Sequence, residues 1–380
     1  MPEYGVLELP LTRRVRYGPG SAAGLADALD RAGVSRAVVL CTASLAREAT
    51  LLARVEQYAG GRLAGRVTDL PAHVPQAAVR QAAAGAAAAG ADGLLSFGGG
   101  SVIDAGKAVA AAMAAGRGAC PPHIALPTTL GGAELAGHYG VTESLGGRPV
   151  KVTHTREDVT PAEVIYDASL TIATPDPLWA GTAVKALDHA IEGLLCAAGP
   201  RPVLDELAQA GIRALAESLE ASLLSSGGSL AARQRCQVAA WQCYPAPASL
   251  VLGLSHRIGH VLGGSYGVPH GVTSAITLPA VMRAMRESAP RALQVAGRAL
   301  DTSAPLDLAR PAAGDPELAA VLLTGLIGRL GLPLRLRDVG VARSDVATVA
   351  DLVAARFPAS LDQLGSGGAA ALSELLSLAW

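Results

Sequence analysis

The stretch GLSHRIGHVLGGSYGVPHG, from Gly253 to Gly271, holds three of the chain's eight histidines. His256 and His260 are four residues apart and share a helical face, and His270 follows a glycine-rich turn. Imidazole titrates near neutral pH, moves protons and binds metals, so this clustering points to a site rather than to scattered core histidines. A second candidate is VKALDHAIEGLL, Val184 to Leu195, where Lys185 and His189 stand one turn apart on one face. A third is FGGGSVIDAGKAVA, Phe97 to Ala110, with three glycines and Ser101 between a strand end and a helix start. Glycine lets a backbone approach a pyrophosphate with no Cβ in the way, and free N–H groups at a helix N-terminus favour negative charge. Asp104 and Lys107 fall on the first turns of that helix. The spacing is not that of a Walker loop. YGPGSAAG, Tyr17 to Gly24, has its third glycine one residue late for a dinucleotide fingerprint and follows no clear strand, so it reads as a turn.

The elements that must carry these residues fall into two regions. Up to about residue 170, short β-type runs alternate with alanine-rich helical stretches, the rhythm of βαβ units and a parallel sheet. Strands are expected at Arg36–Thr42, Gly93–Gly100, His123–Thr129 and Glu163–Asp167, with helices at Ala43–Tyr58 and Pro75–Ala91. The prolines of SLTIATPDPLW break regular structure and suggest a boundary. Beyond Leu178 helical patterns dominate, at Ala180–Ala197, Pro202–Leu224, Leu230–Cys243 and Glu317–Leu330, while Asp301–Asp315 reads as a surface loop. The expectation is an α/β nucleotide-binding domain over residues 1–175 and an all-helical catalytic domain over residues 176–380, with the cleft between them as the default place for chemistry.

Composition narrows the function classes. The 380 residues are 50% hydrophobic and 17% charged, with 31 Lys+Arg against 32 Asp+Glu, so a folded core is expected and no basic field exists for nucleic acid or anionic lipid. No run of about 20 strongly apolar residues spans a membrane, and the N-terminus has no apolar signal core, so a cytoplasmic protein is expected. The five cysteines, Cys41, Cys120, Cys196, Cys236 and Cys243, form no CxxC pair and read as buried thiols.

Taken in order, the motifs resemble the iron-containing alcohol dehydrogenase superfamily, and within it the maleylacetate reductase branch. They are GGGSVIDAGKA, ALPTTLGGAE (Ala125 to Glu134), GVTE, Lys151, VIYDASLT, the HAIE helix, the histidine-rich stretch and LGLPLRLRDVGV. The resemblance implies the dehydroquinate synthase-like fold, an α/β domain facing a helical one. It implies NADH or NADPH held at the pyrophosphate by Gly98, Gly99 and Ser101, with Asp104 supporting the loop. Thr128 and Thr129 would line the dinucleotide channel and Lys151 would reach the nicotinamide ribose. RAVVLCTAS ends without an acidic residue to bind a ribose 2′-OH, so either cofactor fits. Similar proteins are commonly dimers, so a homodimer acting on a small molecule is expected.

One departure changes the chemistry. Metal-dependent members use an aspartate and three histidines; His189, His256 and His270 match the histidines, but the aspartate position is Lys185. Asp188, one residue before His189, is expected to point about 100° away round the helix. An ammonium about 4 Å from a divalent cation at an effective dielectric near 20 costs on the order of 8 kcal/mol. Ligation by neutral lysine instead costs about 4.6 kcal/mol to bring its pKa below 7. No metal is therefore expected. Lys185 would polarise a carbonyl or hold a carboxylate, His260 would deliver the proton, and His189, His256 and His270 would contact substrate. A lowered Lys185 pKa would also permit Schiff-base chemistry.

The chain also departs from maleylacetate reductases, which usually carry histidines near the Ser255 and Ser274 positions and a serine at the Ala133 position. Fewer anchors argue for a substrate other than maleylacetate, with Arg257 as a candidate carboxylate anchor. The leading expectation is an NAD(P)H-dependent, metal-independent reductase of an unsaturated or carbonyl-containing small acid or secondary-metabolite intermediate. Its competitors are a non-redox lyase or cyclase on the same fold and a catalytically inactive binding subunit.

Overall fold

The computed structural model describes residues 14–71, 74–115, 118–145, 148–197, 199, 201–244, 253–302 and 310–380. Two compact units meet in sequence at Pro175 and Asp176.

The first unit is built on a six-stranded parallel sheet in the order β1-β8-β5-β4-β2-β3. Its strands are β1 (Val15–Tyr17), β2 (Ala37–Leu40), β3 (Leu63–Val67), β4 (Gly93–Gly98), β5 (His123–Pro127) and β8 (Glu163–Tyr166). Between the last two, β6 (His138–Leu145) and β7 (Arg148–Thr155) form an antiparallel hairpin. The helices are α1 (Leu25–Arg31), α2 (Ala43–Ala46), α3 (Ala49–Ala59), α4 (Gln76–Ala88) and α5 (Gly100–Ala114). Alternate strand residues explain why both faces are covered. Val39, Leu95, Phe97 and Ile124 join the core of Leu25, Leu29 and Val55 from α1 and α3. Val38, Leu40 and Leu94 join that of Val79, Ala82, Val102 and Val109 from α4 and α5.

Three features differ from the sequence expectation. The single helix over Ala43–Tyr58 is two, because Thr42 caps α2 through Leu45 N–H at 3.3 Å and the chain turns again at Glu48. YGPGSAAG does follow a strand, the three-residue β1, held to β8 by Arg16 against Glu163 at 3.2 Å. β3 and the β6–β7 hairpin were not expected, since their polar and glycine positions dilute the alternation.

The second unit contains, among the described residues, α6 (Asp176–Leu195), α7 (Pro202–Ser218), α8 (Leu230–Cys243), α9 (Leu254–Tyr266), α10 (His270–Ala284), α11 (Pro290–Leu300), α12 (Glu317–Arg329), α13 (Asp345–Arg356) and α14 (Gly368–Ala379). Pro177 starts α6 rather than breaking a helix, since the first turn needs no N–H from it. Asp176 secures that start by accepting from Leu224 N, Ser225 N and Arg233. From Ala183 to Leu195 all but Lys185 is buried, which makes α6 the central helix of the unit. A Cβ on Gly271 would lie 2.4 Å from the Gly181 carbonyl carbon, so this glycine pair sets the close crossing of α6 and α10 and brings His270 to α6. Of the loop expected at Asp301–Asp315, residues 303–309 lie outside the described residues, and the rest is free of helix and strand. No described helix is long and apolar enough to cross a membrane.

Candidate active site

In the first unit, β4 runs directly into α5, with Gly99 at the N-cap and Gly100 and Ser101 opening the helix. A Cβ on Gly99 would lie 2.9 Å from Thr129 Cγ2, so the loop can lie this close to the Thr128–Thr129 segment only without side chains. Thr128 N–H donates to Gly98 O at 3.0 Å, fixing the two segments together. Ser101 is exposed and Gly99 and Gly100 are partly so, leaving the α5 N-terminus open. That is the arrangement a pyrophosphate requires.

Behind the loop, Lys107 is fully buried and its Nζ donates to Ala133 O and, at 2.6 Å, to His138 O. Asp104 Oδ2 accepts from Gly140 N at 3.1 Å, so it supports the hairpin that follows the loop. The Lys151 stem lies across Gly140: a Cβ there would be 2.4 Å from Lys151 Cε, so a side chain would displace the end of that lysine. Burial pushes the Asp104 carboxyl up, opposed by Lys107, the Gly140 N–H and Lys151. Glu134 accepts from Tyr166 Oη at 2.7 Å and closes this buried network.

In the second unit the histidines form two pairs. His189 stacks on His256 with centroids 4.9 Å apart and 23° between planes, and Tyr244 meets His189 edge-on at 5.0 Å. His260 meets His270 edge-on at 5.5 Å, with Phe357 at 6.2 Å. Arg257 places its guanidinium 4.8 Å over the Phe357 ring.

Beneath the first pair lies a carboxylate cluster. Glu192 Oε2 accepts from Gly253 N at 3.0 Å and lies 2.6 Å from His256 Nδ1, while Oε1 accepts from Ser255 N at 2.6 Å. Asp188 Oδ2 accepts from Ser255 Oγ at 3.2 Å and Ser274 Oγ at 2.6 Å, and lies 3.2 Å from His256 Nδ1. Asp188, expected about 100° round α6 from His189, meets a different histidine there, because α9 brings His256 to that side of α6. Buried and unpartnered atoms include Asp188 Oδ1, His189 Nδ1 and His256 Nε2.

Burial dominates the electrostatics. It pushes His256 down to about 3 and His189 well below the usual imidazole range, with the Lys185 charge lowering both further. Both rings are therefore neutral at pH 7, and His256 is a hydrogen-bond partner of Glu192 rather than half of an ion pair. Burial likewise pushes Asp188 up and Glu192 up to about 7, and Lys185 opposes both rises.

Residues 12–168 match the iron-containing alcohol dehydrogenase family, and residues 179–361 match the C-terminal part of the Fe-containing alcohol dehydrogenase family. The chain belongs to the iron-containing alcohol dehydrogenase family. It is an oxidoreductase of that family, whose members use NAD or NADP. A maleylacetate reductase of Pseudomonas sp. strain P51 is 32% identical over 350 residues, 92% of this chain and 91% of that protein. The crystal structure of maleylacetate reductase from Agrobacterium tumefaciens is 30% identical with a TM-score of 0.82, covering 100% of this chain and 99% of that one. That of an iron-containing alcohol dehydrogenase from Corynebacterium glutamicum ATCC 13032 is 29% identical with a TM-score of 0.82, covering 99% and 97%.

The family implies a metal, and two donor sets bear on it. The first is the one the sequence suggested, His189, His256 and His270 with Lys185 beside His189, and among the described residues those three histidines are not gathered into one group of donors. The second is Asp188, Glu192 and His256, all buried, with donor atoms within 4.8 Å of one another. Sequence reasoning had left this set aside. Two carboxylates and an imidazole suit a divalent cation chemically, and Asp188 Oδ1 has an unused acceptor site. Against this, the 2.6 Å separation of His256 Nδ1 from Glu192 is a hydrogen-bond distance, and both Glu192 oxygens already accept backbone N–H groups. The set fits a cation only if His256 presents Nδ1 as a bare lone pair. Tyr244 and Phe357 carried no signal in sequence, being single aromatics far from the motifs they join.

Proposed function

We propose that this family member is an NAD(P)H-dependent reductase of an unsaturated or carbonyl-containing small acid or secondary-metabolite intermediate, and that it works without a catalytic metal. The observation that carries this reading is Lys185, one turn before His189, with its charge acting on His189, His256, Asp188 and Glu192. The similarity to maleylacetate reductases supports the substrate class. It also favours net redox turnover over the lyase and binding-subunit readings.

The dinucleotide would rest on Gly98, Gly99 and Ser101 at the start of α5, along Thr128 and Thr129, with Lys151 toward the ribose. Bound NADH or NADPH supplies a hydride, which reduces the carbon of a C=O or C=C bond by two electrons. The Lys185 ammonium stabilises the negative charge that develops on the substrate oxygen. His260 donates the proton that completes the addition, while His189, His256 and His270 orient the substrate.

A second reading is favoured by one observation, the three buried donors of Asp188, Glu192 and His256. A divalent cation there would serve as a Lewis acid beside the histidines. Elemental analysis of chelator-treated protein, paired with NADH and NADPH titration by fluorescence and a panel of unsaturated and 2-oxo acids, separates the two. Tight cofactor binding and turnover with no stoichiometric metal are expected. Stoichiometric metal that is required for turnover supports the second reading, and failure to bind either cofactor overturns both.

A further inference from the structure

Glu192 occupies an unusual position for a buried carboxylate. It receives Ser255 N–H on one oxygen and Gly253 N–H on the other, and so caps α9 from a different helix. Gly253 must be glycine for this, since a Cβ there would lie 2.6 Å from Glu192 Oε1. The oxygen that takes Gly253 N–H also lies 2.6 Å from His256 Nδ1. Two backbone N–H donors and the His256 ring nitrogen thus converge on one side chain, at a helix N-terminus that favours negative charge. Burial pushes Glu192 up to about 7, so above that pH it is a carboxylate and accepts from imidazole rather than donating to it. The proton of His256 then sits on Nδ1, and the lone pair is left on Nε2, which is buried and has no partner among the described residues.

We infer that Glu192 is a positioning residue, holding His256 as the Nδ1–H tautomer so that Nε2 is presented as an acceptor to the substrate. The kinetic arm rests on the reductase reading above; the tautomer does not. A cation lodged among Asp188, Glu192 and His256 would take the Nδ1 lone pair and drive the proton to Nε2, which is the opposite tautomer.

The test is two-bond 1H–15N correlation spectroscopy of the full chain labelled with [15N]histidine at pH 8, with His256→Asn to assign the signals. A protonated Nδ1 and a bare Nε2 are expected for His256; a protonated Nε2 overturns the proposal. In Glu192→Gln a single amide oxygen cannot serve Ser255 N–H, Gly253 N–H and His256 together, so the hold on the Nδ1–H tautomer should be lost, with a mixture or inversion of tautomers, and kcat should fall about tenfold or more, with the NAD(P)H dissociation constant unchanged. Glu192→Asp keeps a carboxylate and should retain the wild-type tautomer and a larger share of kcat. Should Glu192→Gln not fold, the wild-type and Glu192→Asp spectra still decide. Wild-type kcat and tautomer in Glu192→Gln would overturn the inference, and absence of turnover in the wild type would sink the reductase reading while leaving the spectra to judge the tautomer.

Discussion

Ser274 donates to Asp188 at 2.6 Å, and that bond joins α10 to the buried heart of α6. Ser255 reaches the same oxygen from α9, so hydroxyls from two different helices converge on one carboxylate. Hydroxyls suit this task because each donates one proton to an anion and adds no charge of its own. Asp188 and Glu192 together are two carboxylates with little access to water, and Lys185 is a cation whose field reaches both. The lysine thus has an electrostatic reason to be there beyond filling a vacated ligand position.

Replacing that lysine is the sharpest test of its chemistry. Lys185→Met should leave NAD(P)H binding intact and lower kcat about a hundredfold, the usual scale for losing one group that stabilises developing charge. Lys185→Asp should do more, because it replaces the cation with a carboxylate one turn before His189. Chelator-treated Lys185→Asp is expected to gain stoichiometric zinc or iron on addition and to rise in melting temperature with it. If Lys185→Met retains wild-type kcat, the ammonium has no role in turnover.

Gly99 tests the dinucleotide loop independently of the helical unit. Gly99→Val would push the loop off Thr129, since even a Cβ comes within 2.9 Å of Thr129 Cγ2. NADH and NADPH affinity should fall about tenfold, with the far-ultraviolet spectrum unchanged, because the loss is one of close backbone approach to phosphate. Titration by nucleotide fluorescence reads this directly. Unchanged affinity for both nucleotides would place the cofactor elsewhere.

Much of this architecture was legible in the residues. The strand runs Ala37–Leu40, Gly93–Gly98 and His123–Pro127 are short, apolar and stopped by turn residues, so their type and place could be read. Lys185, His189, His256, His260 and His270 could be named because local spacing puts each on a helix face or beside a turn. What could not be read depends on contacts between distant segments. Asp188 looked misdirected on α6 alone, and only the approach of α9 and α10 gives it Ser255, Ser274 and His256 as neighbours. Glu192 stands in the HAIE helix, but its task depends on partners 61 to 64 residues away. The β6–β7 hairpin was missed because residues such as Thr142, Glu143, Lys151 and Thr153 break the apolar rhythm.

His123 should govern part of the stability at acid pH. It is buried, donates from Nε2 to Ser96 Oγ at 2.8 Å while Ser96 donates to Val102 O, and burial pushes its pKa from 6.5 to about 3. The unfolded chain therefore takes up the proton first, and stability held above pH 6.5 is lost progressively as pH falls toward 3. By pH 5 the loss from this one residue is about 2 kcal/mol. His123→Gln keeps a donor for Ser96 but does not titrate. Urea unfolding at pH 7.5 and pH 5 should show the wild type losing about 2 kcal/mol more than the variant over that interval, and equal losses would mean that His123 is protonated in the folded protein.

Lys107 links stability to cofactor binding in the first unit. Its ammonium is the donor to Ala133 O and His138 O and lies 3.7 Å from Asp104, so it ties α5 to both ends of the short segment between Thr129 and the hairpin. Burial pushes its pKa down, and Asp104 and Glu134 hold it up against that pressure. Lys107→Met keeps most of the stem but leaves two carbonyls and a buried carboxylate without their cation. Removing one partner of such a pair costs about 3–5 kcal/mol, so a clear fall in the urea midpoint is expected. Because Ala133 follows the threonines that hold the glycine loop in place, NAD(P)H affinity should fall with it, even under conditions where the variant is fully folded. A lowered midpoint with unchanged affinity would show that the loop keeps its shape without Lys107. The alignment would then have to come from the Thr128 N–H bond to Gly98 and the Thr174 hydroxyl bond to Thr128 O alone.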